Sequence, residues 1–95
     1  MALDAVPRGI DAGKVREWLA QQPGVTEVHD LHIWAMSTTE TALTAHVVRP
    51  GATDHDHFLH ETCAELASRF RIGHATVQVE QGDGHACRLA PADVV

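Results

Sequence analysis

The sequence predicts an α+β domain in the order αββαβ, with two helices laid against one face of a three-stranded sheet. Three observations carry this reading: two stretches whose apolar residues recur at helical spacing, three that alternate like strands, and Pro or Gly punctuation between them. At 95 residues the chain is one domain over 1–95, with a lead-in segment at 1–10 and a tail at 81–95.

Asp11 is placed to cap a first helix that runs to about Gln22. Val15, Trp18 and Leu19 fall on one face of it, and Pro23-Gly24 stops it. From Val25 to Met36 the spacing turns strand-like. Ser37-Thr38-Thr39-Glu40 then separates this run from a second, Thr41 to Arg49, which ends at Pro50-Gly51, so the two form an antiparallel hairpin. Asp54-His55-Asp56 opens a second helix in which Leu59, Cys63, Leu66 and Phe70 make the apolar stripe, and its acidic first turn suits the helix dipole. After Ile72-Gly73 a third strand spans His74 to Glu80, followed by a Gly-rich tail. Alternation turns Leu31, Ile33, Leu43, Val47, Ala75, Val77 and Val79 toward the helices, and His32, His46, His74 and Glu80 toward the open face.

Composition narrows the function. Hydrophobic residues make up 44% and charged residues 21%, a globular balance, and no run approaches the roughly 18 apolar residues that a membrane span needs. No basic-then-apolar leader opens the chain, so cytosolic residence is the expectation. A formal charge of −6 argues against a nucleic-acid partner, because phosphate backbones are bound by clustered Lys and Arg. Two copies would together carry −12 (2 × −6), a repulsion that bound divalent cations would reduce. The two cysteines give no disulfide framework: Cys63 reads as a small core residue, and Cys87, close to His85, as a soft ligand.

Eight histidines in so short a chain, several on strands, form a metal-ligand pattern. His74 and Glu80 stand roughly 20 Å apart on one strand, so they cannot serve one ion within one copy; two sites or a dimer are required. Strict alternation makes His32 the partner of His46, whereas His29 takes that place only where twist or a bulge re-aims it. Asp54-His55-Asp56-His57 with His60 and Glu61 is the densest local ligand set, and sits at an exposed helix start. His57-x-x-His60-Glu61 is not the His-Glu-x-x-His of zinc peptidases. No Gly-rich phosphate loop follows a strand, and neither Ser37 nor Ser68 has the setting of a nucleophile, so an enzyme is not expected.

Four stretches taken in order resemble the cytoplasmic C-terminal domain of the cation diffusion facilitator family, particularly bacterial cobalt, zinc and cadmium efflux proteins. They are Val6-Pro7-Arg8-Gly9-Ile10-Asp11, Pro23-Gly24-Val25, His29-Asp30-Leu31-His32-Ile33-Trp34 with Ala45-His46-Val47, and His74 through Glu80. The resemblance covers nearly the whole chain. It implies a metallochaperone-like, ferredoxin-like open-faced sandwich on the cytoplasmic face of the inner membrane, preceded in the full-length homodimeric transporter by a six-helix membrane part. It implies a regulatory domain that binds Zn2+, and also Co2+ or Cd2+, at the dimer interface. The family's ligand positions correspond to His29, His46, His74 and Glu80, with Cys87 and His85 matching the cysteine-containing tail of some members, while Asp54 and His57 could complete a site. Some members carry histidine and aspartate where this chain has Glu80 to Gly82, so their ion count does not transfer. Two rivals stand beside this reading: a free-standing soluble metal carrier, which would usually show paired cysteines, and a small-molecule-binding regulatory module in which the histidines are incidental.

Overall fold

A computed structural model describes residues 6–82 of the chain. The elements are α1 (Ala12–Ala20), β1 (Glu27–Ala35), β2 (Thr41–Val48), α2 (His55–Phe70) and β3 (His74–Glu80), which is the αββαβ order expected from the spacing. The strands form one sheet in the order β1-β2-β3, with β2 antiparallel to β1 and parallel to β3. The parallel pair requires a crossover, and α2 supplies it.

Asp11 caps α1 by accepting a hydrogen bond from the Lys14 backbone N–H at 3.2 Å. Helix α1 stops at Ala20, shortly before Gln22, and the chain reverses through Pro23 and Gly24, whose φ is +81°. Gly24 lies against the Arg49 guanidinium, so a side chain here would meet both a disfavoured backbone region and a buried cation. At its far end α2 terminates on Arg71, which adopts the left-handed conformation, while the Ile72 N–H reaches back to the Leu66 carbonyl at 3.1 Å.

The core lies between the helices and one sheet face. Val15 and Leu19 of α1 and Phe58 and Leu66 of α2 are buried against Leu31, Ile33, Leu43, Ala45, Val47 and Val77, as strand alternation requires. The stripe of α2 is rotated from the expected one. Phe58, Thr62 and Leu66 are its buried residues, and Leu59, Cys63 and Phe70 flank them half-buried. Phe70 meets Trp18 of α1 edge to face, with ring centroids 5.9 Å apart, and so links the two helices.

Arg49 fastens the end of β2. Its side chain is buried, donates through Nε to the Pro23 carbonyl at 3.0 Å and through Nη1 to Asp54 Oδ1 at 3.1 Å, and stacks over the Phe58 ring at 3.9 Å. Its backbone N–H donates to the Glu80 carbonyl at 2.8 Å. One residue thus joins the α1–β1 turn, the start of α2 and the end of β3. Arg49→Ala removes the packing of the buried stem and its hydrogen bonds to Pro23 and Asp54, so it should lower the free energy of unfolding by about 2–3 kcal/mol. The measurement is urea denaturation, with the midpoint falling at unchanged slope.

Candidate metal centre

The site is built where the three strands meet at the Arg49 end of the sheet. His29 of β1 is directly paired with His46 of β2, and His46 with Gln78 of β3; Glu80, two residues on, pairs with Val48. Directly opposite residues share a face, so His29, His46 and Gln78 point to the open side, and Glu80 follows by its period of two.

His29 reaches that face through a β-bulge. The register runs from His29↔His46 to His32↔Thr44, so Asp30 and Leu31 together oppose Ala45 alone. Asp30 carries φ +53°, one of two non-glycine residues with positive φ among those described. The extra residue reverses parity along β1: Leu31 and Ile33 stay in the core while both His29 and His32 face outward.

Glu80 gathers the imidazoles. Its Oε1 accepts a hydrogen bond from His29 Nε2 at 2.9 Å, and its Oε2 accepts from His46 Nδ1 at 2.8 Å and from Gln78 Nε2 at 3.1 Å. The two rings stand edge to face with centroids 5.0 Å apart. An ionised carboxylate only accepts, so each ring nitrogen facing it carries the proton in this arrangement. His29 is almost fully buried, and the Glu80 side chain is only 15% exposed, so these bonds are what make enclosing the polar groups tolerable. Burial pushes the Glu80 carboxyl up, but the hydrogen bonds from His29 and His46 outweigh it and hold the group below its ordinary value.

The donor set suits a borderline divalent cation. Two ring nitrogens and a carboxylate converge at hydrogen-bond distance, and imidazole with carboxylate is a normal zinc shell. Donor atoms of His29, Asp30 and His46 also lie within 4.8 Å of one another, and Asp30 Oδ2 is 4.0 Å from His29 Nδ1. The sequence reading did not single out Asp30. The available signal was the odd spacing of His29 and His32, two histidines that share a face only if the intervening residues bulge, together with an aspartate that tolerates the left-handed region.

Other candidate residues fall elsewhere. His74 pairs with Ala42 at the opposite end of β3 from Glu80, where its Nε2 is 2.7 Å from Glu40 Oε2 and both side chains are about half exposed. The partner Glu40 comes from the β1–β2 loop and was not foreseen. His32 faces the open side beside Thr44, outside the group formed by His29, Asp30 and His46. Asp54 is engaged by Arg49, whose hydrogen bond holds its carboxyl below the ordinary range, and His57 is exposed on the first turn of α2. Cys63 is half-buried with its thiol 3.7 Å from the Ala75 carbonyl, and burial pushes its pKa up, away from the reactive thiolate. His85 and Cys87 lie outside the described residues.

Comparison with known proteins finds likeness to the cytoplasmic part of cation efflux proteins. The family model described as the cytoplasmic domain of cation efflux proteins matches residues 7–82. The metal cation efflux system protein CzcD of Cupriavidus metallidurans is 39% identical over 79 residues, which cover 82% of this chain and 25% of that protein. The probable proton-coupled zinc antiporter SLC30A3 of Mus musculus is 37% identical over 79 residues, covering 83% of this chain and 20% of that one. The chain therefore spans a fifth to a quarter of the length of these relatives. Among solved structures, the metal-bound C-terminal domain of CzcD superposes with a TM-score of 0.67 at 39% identity, over 75% of this chain and 99% of that one. The zinc form of CzrB gives a TM-score of 0.71 at 26% identity, over 93% and 100%.

A carboxyl held below its ordinary pKa stabilises the fold above the unfolded value, about 4.3, and that stabilisation is lost as pH falls through the lower folded value. Thermal melts in chelator should therefore show a midpoint that drops below about pH 4.5, with Glu80→Gln flattening that limb relative to wild type. Asp30→Gly keeps the positive φ and should preserve the amide signals of His29 and His46 in NMR spectra, whereas Asp30→Val opposes it and should shift them.

Proposed function

The chain belongs to the cation efflux protein family, matching its cytoplasmic domain over residues 7–82, and from that premise we propose that it is the metal-sensing, dimerising portion of a divalent-cation efflux transporter. The observation that carries this reading is the convergence of His29 Nε2 and His46 Nδ1 on the Glu80 carboxylate. The same ring nitrogens that hold protons toward Glu80 are those a metal ion would take, so proton and ion compete for one set of atoms. Zn2+ fits this nitrogen–oxygen set best, Co2+ accepts the same donors, and the softer Cd2+ would gain most from a thiolate such as Cys87. Solved relatives support the assignment: one is the metal-bound domain of CzcD, another the zinc form of CzrB.

Regulation follows from charge and from where the site sits. Two chains of formal charge −6 repel, and ions held on the open sheet face reduce that repulsion while offering open coordination positions to a second copy. A homodimer drawn together in this way would bias a transporter whose membrane helices lie upstream. Among the described residues no helix is long and apolar enough to cross a membrane, so transport itself would belong to that upstream part. His74 with Glu40, at the other end of the sheet, forms a separate and weaker pair of donors within one copy. Nothing in this role calls for catalysis.

Zinc calorimetry and sedimentation on the metal-free protein test the proposal. Wild type should bind zinc and shift toward dimer, and His46→Ala and Glu80→Ala should each weaken binding by at least about tenfold, since each removes one of three convergent donors. His32→Ala should bind as wild type does. Affinity should also fall between about pH 7.5 and 5.5, because a protonated imidazole cannot coordinate. Unchanged stoichiometry and affinity in both site variants would remove the assignment.

A further inference from the structure

At the end of the sheet away from His29, His46 and Glu80 lies a cleft of about 790 Å3 between the lead-in segment, the β1–β2 loop and the end of α2. Three of the chain's seven Lys and Arg residues line it: Arg8, Arg69 and Arg71. The hydroxyl residues Ser37, Thr38 and Thr39 line it as well, and no carboxylate does. In a chain of formal charge −6 this is an unusual concentration of one sign. The loop's own carboxylate, Glu40, is absent from the wall and pairs with His74 instead.

The C-terminal dipole of α2 accounts for one cation near its last turn, since it attracts positive charge. It does not account for Arg8, which arrives from the segment before α1. Arg69 is oriented by Glu65, whose carboxylate takes its Nε at 3.2 Å and leaves the two terminal amino groups of the fork. Arg8 and Arg71 have no carboxylate partner among the described residues, and both are exposed. The chain holds Arg71 at φ +60°, a conformation that glycine adopts at far lower cost, so the helix stop alone does not select arginine there. Ile10 and Phe70 complete the lining with apolar surface.

We propose that this cleft binds a phosphate ester, with the three guanidinium groups around the phosphoryl oxygens, the loop hydroxyls as additional donors, and the apolar wall against the esterified group. Guanidinium forks match the geometry of phosphate oxygens, and hydrogen bonds with both partners charged are the strong ones. The volume falls within the range of small-molecule sites, larger than a bare ion needs. The same chemistry is presented by a soluble phosphate monoester and by a phospholipid headgroup.

The probe is glycerol 3-phosphate, titrated into the zinc-free chain while amide chemical shifts are followed, alongside co-sedimentation with phosphatidylcholine vesicles with and without phosphatidylglycerol. Saturable shifts are expected at Arg8, Thr38, Thr39 and Arg71. Arg8→Ala and Arg71→Gly, the latter suited to the positive φ, should each weaken binding roughly tenfold, while Lys14→Ala, outside the cleft, should not. Binding to glycerol 3-phosphate alone assigns a soluble ester; vesicle binding that needs phosphatidylglycerol and is lost in the same two variants assigns a headgroup. Absence of saturable shifts together with vesicle binding indifferent to these variants overturns the proposal, as does an equal loss in Lys14→Ala.

Discussion

One parity constraint governs this domain. A strand sends alternate residues to opposite faces, so His29, Leu31 and Ile33 would all share a side if β1 were regular. The core requires Leu31 and Ile33, both nearly inaccessible to solvent, and the open face receives His29. Only an extra residue satisfies both, and the bulge at Asp30–Leu31 supplies it. A left-handed aspartate costs of the order of 1–3 kcal/mol where a bulky residue would be strained, and this is offset by keeping an imidazole out of the apolar core. The bulge also re-aims the strand beside the site, so that His29 stands opposite His46 rather than one pleat away.

Once the two imidazoles share a face, the third donor depends on the far end of β3, an edge strand of the sheet. Glu80 is the last residue of β3, where strands commonly fray, yet its carbonyl is bonded to the Arg49 N–H and its carboxylate is held from three sides. Arg49 is in turn fixed by Pro23, Asp54 and Phe58. The packing that closes the domain thus also sets the position of the carboxylate. Because His29 and Glu80 are 51 residues apart in sequence, the site exists only in the folded chain, and ion binding there would be linked to folding.

The periodic parts of this architecture were legible from the sequence, and the long-range parts only in outline. The Asp11 cap, the hairpin, the bounds of β3 and the inward-facing strand residues all follow from local rules that operate within a few positions. The stripe of α2 was read one residue off because Leu59 and Cys63 obey the same spacing as Phe58 and Thr62, and only the angle of packing decides between them. The convergence of His29 and His46 hung on a bulge, which alternation does not announce. Glu40 beside His74 is a loop-to-strand contact with no signature in spacing. Arg49 looked like the end of a strand, and its burial depends on a carbonyl, a carboxylate and a ring from three separate segments.

The two charged ends of the sheet are joined by the same strands, and distance decides how they can communicate. From His29 to Ala35 the strand covers roughly 20 Å, more than twice the screening length of about 8 Å at physiological salt. A charge gained at the imidazole end is therefore weakly felt by Arg8 or Arg71 through the field alone. Side chains along β1 and β2 are instead close-packed into the core from Val28 to Leu43, and such interiors transmit displacement with little compliance. An ion that changed the local twist at the bulge would act on the cleft through the pairing of β1 with β2, because both the bulge and the loop that carries Ser37 and Thr39 belong to that one hairpin. Any influence of one end on the other would therefore have to pass through this hairpin's pairing and packing rather than through attraction between opposite charges.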